Sequence, residues 1–233
     1  TTAGTGSEVT IVAVLTDSKR GVKKSIRHPS FMARLVILDP AMLQGCPRSV
    51  LAASGMDAFT QAAESFVSRH ATWFTDCMAL EGLRLIDRSL PAVADGAEGE
   101  PASDLMQGSA LAGLALSNAR LGLVHGLAHP LGVRYRQPHG LVCAVCLPHV
   151  IAFNQDAMGD KYGRMSRTIG KDIKARVATL MDRLDIRSPF HGSAPVDREA
   201  IVQETLASGS TRANPRDVTA DDVNDMLDRL FRT

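Results

Sequence analysis

The distribution of apolar positions divides the chain into a short β-like part and a long helical part. Two runs rich in β-branched residues come first, at residues 9–17 and 34–39, and turn-forming residues bound each of them. After Pro47 the apolar positions recur at helical spacing, and Gly and Pro separate the segments. The repeated strand–helix alternation of a complete doubly wound domain is missing. The pattern therefore predicts a mainly α protein with a short β remnant before an all-helical domain.

Eight helices follow from the spacing of apolar residues and from the positions of Gly and Pro. Ser54 with Asp57, and Thr219 with Asp222, have the separation of a helix-capping pair. The basic segment 20–32 and the acidic segment 91–101 are predicted to be loops. The predicted helices cover residues 54–67, 74–90, 102–128, 139–153, 158–169, 171–184, 198–207 and 220–231.

The amino-acid composition limits the classes of function that the chain could have. The 233 residues are 45% hydrophobic, which is enough for a sizeable core, and 26 Lys and Arg nearly balance 25 Asp and Glu. This balance argues against a nucleic-acid partner or an anionic membrane surface. No uninterrupted apolar run reaches the roughly 18 residues that span a bilayer, and no secretory signal opens the sequence. We therefore expect a cytoplasmic protein with no membrane partner.

Four cysteines are too few for a disulfide framework in a chain of this length, which favours a reduced compartment. Cys143 and Cys146 form one CxxC pair inside an apolar run. A zinc ribbon needs a second such pair, and a redox motif needs a βαβ context. We interpret both cysteines as buried helical thiols.

Three histidines, His125, His129 and His139, fall within the short stretch 122–140. His125 and His129 are four residues apart and share a helix face. Pro130 is expected to end that helix, and Pro138 to restart another with His139 in its first turn, which can bring His139 back toward His125. Converging imidazoles are common ligands of zinc and ferrous iron. The spacing alone leaves ligands and ordinary core or surface histidines equally open.

A metal site also needs a carboxylate, and the segment SGMDAFTQAAESF supplies Asp57, with Gln61 on the same helix face and Glu64 one turn further. The alternative is that Asp57 only caps its own helix. The N-terminal TTAGTGSEVT is rich in Gly and Thr, so its backbone can approach a ligand closely and its hydroxyls can donate to phosphate or ribose oxygens. Lys23 and Lys24 could contact a phosphate, although a solvated basic loop is the commoner arrangement.

Taken together, the motifs resemble those of the iron-containing alcohol dehydrogenase family. They occur in the family's order and cover nearly the whole chain. The resemblance implies that residues 1–47 are the remnant of an α/β dinucleotide-binding domain and that 48–233 form an all-helical, metal-binding catalytic domain. The matching segments are TTAGTGSEVT, GVKKSIRHPSFMARLVILDP, SGMDAFTQAAESFVS, GLVHGLAHPLG, PHGLVCAVCLPHVIAFN and ASGSTRANPRDVTADDV.

The same resemblance implies roles for individual residues. Asp57, His125 and His139 match three of the family's four metal ligands. The fourth, a histidine in the family, is Gln61 here, a neutral and poorer donor. His129 matches an additional histidine of the cleft and is the candidate proton relay. The residues expected to contact the dinucleotide are Thr1, Thr2, Thr5 and Lys23.

The function implied is hydride transfer between a small alcohol or aldehyde and NAD or NADP, assisted by Fe²⁺ or Zn²⁺, in a homodimer. The family's glycine-rich pyrophosphate loop is not in this sequence, and Thr1 lies inside a Gly/Thr-rich loop, so we expect a truncated or processed chain. Two alternatives stay open. One is a metal-free reductase, or an enzyme of different chemistry, on the same dehydroquinate-synthase-like fold. The other is a truncated helical metal-binding or dimerisation module without catalysis.

Overall fold

The computed structural model describes residues 1–17 and 22–232, with side chains described outside 16–25. Within these ranges the chain forms one β-hairpin and nine α-helices. The helices are α1 (Arg48–Val67), α2 (Trp73–Ala94), α3 (Glu100–Ala119), α4 (Leu123–Arg134), α5 (His139–Asn154), α6 (Asp160–Thr168), α7 (Ile173–Arg183), α8 (Arg198–Ala207) and α9 (Ala220–Arg232). The mainly helical fold with a short β segment is confirmed.

The β structure is a single antiparallel hairpin. Strand β1 (Val12–Asp17) pairs with β2 (Val22–Arg27), with Val12 opposite Arg27 and Asp17 opposite Val22. The first predicted strand is therefore confirmed in its second half. The prediction of a loop over 20–32 is wrong for β2, because backbone pairing with β1 outweighs the polar composition of that segment.

The second predicted strand, at residues 34–39, is wrong. The segment is irregular, and Leu35 and Ile37 are 79% and 81% exposed. A strand needs a neighbour to complete its backbone hydrogen bonds. No strand of the described part lies beside this segment, so its β-branched residues have no sheet to join.

Helix α1 is the centre of the helical domain and packs against α2, α3 and α5. Every residue from 55 to 68 is buried, including Asp57, Gln61 and Glu64. A helix surrounded on all sides by other helices is normally apolar all round. The polar residues of α1 therefore need partners inside the core, and the candidate site supplies them for Asp57 and Glu64.

Helix α1 begins at Arg48, six residues before the predicted cap. Ser54 lies in the helix interior and its hydroxyl donates to the Leu51 carbonyl, so the predicted capping pair of Ser54 and Asp57 is wrong. The pair at the last helix is confirmed. The Asp222 amide donates to Thr219 Oγ1, and the Thr219 amide donates to the Asp222 carboxylate.

The predicted long helix 102–128 is two helices, α3 and α4. Arg120, at the break, has a positive φ of 64°. Side chains of α1 hold both ends of the break: Ser65 donates to the Arg120 carbonyl, and Glu64 accepts from the amides of Gly122 and Val124. These tertiary hydrogen bonds satisfy backbone groups that a continuous helix would otherwise pair internally.

Proline positions were misleading in two places. Pro130 lies inside α4, which continues to Arg134, and Pro91 lies inside α2, which continues to Ala94. The loop predicted over 91–101 is therefore shorter. Packing of the surrounding helix outweighs the local cost of each proline. Pro138, in contrast, does precede α5 as predicted.

The segment His139–Met158, which contains α5, is long and apolar enough to meet a length-and-composition criterion for a membrane span. This criterion uses mean hydropathy and differs from the search for uninterrupted apolar runs, which found none of the required length. Much of α5 is buried, however, in contact with α1, α4, α7 and α9. Its apolar sequence is accounted for by its place in the core.

The contact between α4 and the turn near Thr211 leaves no room for a methyl group at Gly126. A Cβ there would overlap Thr211 Oγ1 and lie 3.3 Å from Thr211 Cβ. We expect Gly126→Ala to lower the free energy of unfolding by about 1–3 kcal/mol. Gly132→Ala, in the same helix, is the control, since its Cβ would meet only the Gln137 carbonyl oxygen at 3.5 Å.

The control should be neutral or stabilising by up to about 1 kcal/mol, because alanine favours a helix over glycine. Urea unfolding of both variants and the parent chain measures the difference. Equal stabilities for the two variants would contradict the close contact at Gly126.

Candidate metal centre

Side chains from three helices converge on one point in the core. Asp57 comes from α1, His125 from α4, and His139 and Cys143 from the first turns of α5. One donor atom from each of these four residues lies within 4.8 Å of the other three. The spatial convergence expected for Asp57, His125 and His139 is therefore present in the fold.

Four of the six separations between donor atoms approach those around a tetrahedral metal ion. Asp57 Oδ1 lies 3.3 Å from His125 Nε2 and 3.9 Å from His139 Nε2. Cys143 Sγ lies 3.8 Å from His125 Nε2 and 3.6 Å from His139 Nε2. Bonds of about 2.0–2.3 Å to a tetrahedral zinc ion would place ligand atoms roughly 3.3–3.8 Å apart. The donors present therefore fit a small divalent cation.

Glu64 orients His125 from the opposite side of the ring. The His125 Nδ1–H donates to Glu64 Oε2 at 2.7 Å, which leaves Nε2 directed at the other donors. Glu64 also accepts from the amides of Gly122 and Val124 at the start of α4. A carboxylate behind a ligating imidazole is the usual arrangement in metal sites, because it fixes both the ring and its tautomer.

Charge interactions hold the donors together. Burial would raise the pKa of Asp57, but the hydrogen bond to His125 and the charges of His139 and His125 lower it below its ordinary value. Burial would lower the pKa of His125, yet the charge of Cys143 and the bonds to Asp57 and Glu64 raise it well above the ordinary value. The pKa of His139 is also raised, first by the charge of Cys143. A bound cation would replace these protons.

His129 lies one turn after His125, next to the donors but outside their group. Its ring is stacked on that of His139, with centroids 5.3 Å apart and an angle of 21° between the planes. The residue is half-buried and lines the same cavity as His125 and His139. Its position therefore gives it access both to the donor group and to a molecule in the cavity.

Gln61 lies one turn after Asp57 on α1 and also lines the cavity. Its side chain is 3% exposed, and Oε1 has no hydrogen-bond partner among the described atoms. A buried acceptor without a partner is costly. The observation therefore points to a bound molecule or ion that completes the site.

Asp57, His125 and His139 line a cavity of about 860 Å³, whereas Cys143 is not among its described lining residues. The N-terminal segment and the hairpin also contribute to the lining. Polar and apolar residues both line it, as in many small-molecule sites. Its lining includes Thr5, Ser7, Thr10, Val12, Val14, Leu116, Leu121, Glu204 and Ser208 in addition to the site residues.

The residues expected to contact a dinucleotide are distributed unevenly. Thr5 lines the cavity, whereas Thr1 and Thr2 are exposed and are absent from its described lining. The Thr1 amino group instead donates to the Met42 carbonyl. Lys23 lies in β2, but its side chain is outside the described ones.

Two residues of the centre were missed by the sequence reasoning. Cys143 was interpreted as an ordinary buried thiol; it is buried in a helix as predicted, but it faces the histidines. It lies four residues after His139 and thus on the same helix face, a signal that was available. Glu64 was noted only for its place one turn beyond Gln61. Its role behind His125 depends on the break between α3 and α4.

Comparison with known proteins agrees with the motif resemblance. The family described as "Fe-containing alcohol dehydrogenase family, C-terminal" matches residues 51–231, and "Iron-containing alcohol dehydrogenase" matches residues 1–40. A lactaldehyde reductase of Escherichia coli K12 is 34% identical over 96% of this chain and 62% of its own length.

Solved structures give the same result. A 1,3-propanediol oxidoreductase superposes with a TM-score of 0.93 and 33% identity over 99% of this chain and 64% of its own. A sulfoacetaldehyde reductase from Bifidobacterium kashiwanohense, solved in complex with NAD⁺, superposes with a TM-score of 0.91 and 30% identity over 100% and 63%. The chain belongs to the iron-containing alcohol dehydrogenase family, and it spans about three-fifths of the length of these relatives.

The hydrogen bond between His125 and Glu64 should contribute to the affinity of the site for a metal ion. We expect Glu64→Ala to weaken Zn²⁺ binding by about 10- to 100-fold, because the His125 ring loses the partner that orients it. Competition with a chromophoric chelator gives the affinity of each variant.

Asn214→Ala is the matched control. Asn214 accepts from the Leu123 amide at the same end of α4 but does not bond His125. This variant should lose some stability and keep its zinc affinity. A similar loss of affinity in both variants would mean that Glu64 acts through the helix end and not through the imidazole.

Proposed function

We propose that this protein carries the metal-binding half of the active site of an NAD(P)-dependent alcohol dehydrogenase or aldehyde reductase. The carrying observation is the convergence of Asp57, His125 and His139 on one point in the wall of a cavity large enough for a small organic substrate. Membership in the iron-containing alcohol dehydrogenase family supports the reaction class.

Asp57, His125 and His139 would hold Fe²⁺ or Zn²⁺, with Gln61 at the position of a fourth family ligand. When bound, such an ion supplies Lewis-acid polarisation of an alcohol or carbonyl oxygen. Asp57 contributes negative charge to the centre, and Glu64 keeps His125 in its ligating tautomer. The burial of Asp57 and His125 excludes water and strengthens these interactions.

His129 would move the proton of the reaction. Oxidation of an alcohol releases a proton, and reduction of an aldehyde consumes one, so a titratable group beside the substrate is needed. Histidine is the side chain most often used for this task, and the imidazole of His129 lines the cavity and is stacked on His139. Through the same stacking, His129 would also orient His139. The metal content of His129→Ala separates this role from proton transfer.

The nicotinamide cofactor would enter from the side of the N-terminal segment. Thr5 lines the cavity there, and Thr1, Thr2 and Lys23 are proposed as further cofactor contacts. When bound, NAD or NADP would supply the hydride chemistry, and these residues would align it with the substrate. The NAD⁺ complex of the sulfoacetaldehyde reductase supports a nicotinamide partner.

We further propose that residues 1–47 are the remnant of a dinucleotide-binding domain and that 48–233 form a metal-binding domain. The protein would be a cytoplasmic homodimer without membrane or nucleic-acid partners. Because the chain spans about three-fifths of its relatives' length, the substrate and activity of the whole protein are also proposed.

Replacement of single histidines tests the assignment of ligands. We expect His125→Ala and His139→Ala to abolish stoichiometric metal uptake, because each removes a donor from the group. His129→Ala should retain the metal and slow turnover by about 100-fold or more, as loss of an acid–base group typically does. Elemental analysis of the three purified variants gives the result, and equal metal content in all of them would refute the assignment.

Cofactor binding tests the reaction class. We expect a metal-loaded chain that includes the family's glycine-rich pyrophosphate loop to bind NADH or NADPH and to oxidise it in the presence of a short aldehyde, with loss of activity on treatment with a chelator. Fluorescence titration and absorbance assays measure the two steps.

The outcomes distinguish the remaining candidates. Activity that persists after complete metal removal would favour a metal-free reductase. Metal uptake without any nicotinamide binding would favour a non-catalytic metal-binding module.

A further inference from the structure

The donor group contains a member that the family ligand set does not predict. Cys143 is completely buried, and its sulfur lies 3.6 Å from His139 Nε2 and 3.8 Å from His125 Nε2. It stands four residues after His139 on α5, so both side chains leave the same face of the helix. The sulfur is thus placed among the donors by the backbone.

We propose that Cys143 is the fourth protein ligand of the metal ion, in place of the missing family histidine at Gln61. The resulting set is one carboxylate, two imidazoles and one thiolate. The proposal rests on the metal site of the proposed function and deepens it. Binding forms one metal–sulfur bond and releases the thiol proton to solvent, with no change of oxidation state.

The geometry supports this set. Four of the six donor separations, 3.3 to 3.9 Å, are close to the roughly 3.3–3.8 Å edges of a tetrahedral zinc site, and all six are within 4.8 Å. The two separations that involve sulfur are as suitable as those that involve the carboxylate. A small adjustment of side chains would therefore let all four donors hold one ion.

The charges of the donors are compatible with this set. A divalent cation bound to two neutral imidazoles would be matched among its own ligands by the carboxylate of Asp57 and a thiolate at Cys143, and buried charge without compensation is expensive. Gln61 is neutral, and the Glu64 carboxylate lies behind His125, where it also accepts from the amides of Gly122 and Val124.

Gln61 supplies an independent indication of a bound group. Its Oε1 atom is buried, borders the cavity and has no partner among the described atoms. With Cys143 as the ligand, the Gln61 amide would remain available to hydrogen-bond a substrate or a water molecule in the cavity. Gln61 would then bind the molecule in the cavity and not the metal ion.

A thiolate ligand has a consequence for metal choice. Soft sulfur donors and tetrahedral geometry favour Zn²⁺, which also stands above Fe²⁺ in the general order of affinities. We therefore expect the chain to select zinc from an equimolar anaerobic mixture of Fe²⁺ and Zn²⁺. Replacement of the sulfur should reduce that selectivity.

Cobalt substitution tests the ligand directly, because a thiolate bound to Co²⁺ gives a charge-transfer band in the near ultraviolet that oxygen and nitrogen ligands do not give. We expect this band in the Co²⁺-loaded chain and its loss in Cys143→Ser and Cys143→Ala. The affinity for Co²⁺ should fall by more than about 10-fold, at least as much as loss of an outer-shell partner costs. Two replacements guard against a folding defect in one of them.

Cys146→Ser is the matched control. Cys146 is buried on the same helix, three residues after Cys143, but is outside the donor group. This variant should keep the band and the affinity. An unchanged spectrum after replacement of Cys143, or loss of the band in Cys146→Ser alone, would overturn the assignment. Failure of the parent chain to bind Co²⁺ would overturn it too.

The cobalt spectrum tests the ligand independently of whether the protein transfers hydride. A Co²⁺-loaded chain without the band that still transfers hydride would refute Cys143 as a ligand and leave the proposed function standing. A chain that includes the pyrophosphate loop and shows the band but no nicotinamide chemistry would refute the proposed function and support the ligand.

Discussion

The fold depends on keeping two carboxylates inside the helix core. Asp57 and Glu64 lie on α1, where surrounding helices remove almost all solvent, and an unpaired carboxylate there would be strongly destabilising. Glu64 is compensated by two backbone amides of α4 and the ring of His125. Asp57 is compensated by the histidines of α4 and α5. The same interactions that make these charges tolerable also assemble a group of metal donors.

This arrangement explains why α4 begins where it does. The start of α4 is held by Glu64 and Asn214, and the end of α3 is held by Ser65, so a tertiary network replaces the turns of one long helix. The break directs His125 toward α1. Stability and the site are therefore built by the same hydrogen bonds, which is why structural and functional roles must be separated by matched variants.

The cavity beside the donors is bounded by segments of different character. The helices provide a rigid wall, and the N-terminal segment, which carries Thr5, provides a wall of small residues close to α1 and α3. A Cβ at Gly4 would lie 2.7 Å from Ser54 Cβ, and one at Gly6 would lie 2.6 Å from Gly113 Cα. The glycines there are therefore required for close packing and not only for contact with a ligand.

The sequence by itself determined the helical class and the N-terminal cap at Thr219, because these depend on periodicity and on local spacing, and its motifs indicated the family. It showed that His139 could return toward His125 but left open whether these histidines are ligands. It did not determine the break between α3 and α4, the absence of a strand at 34–39, or the places of Glu64 and Cys143 in the centre. Those features depend on which groups from distant segments meet in the core. Local spacing places a side chain on a helix face, but only packing decides what that face meets.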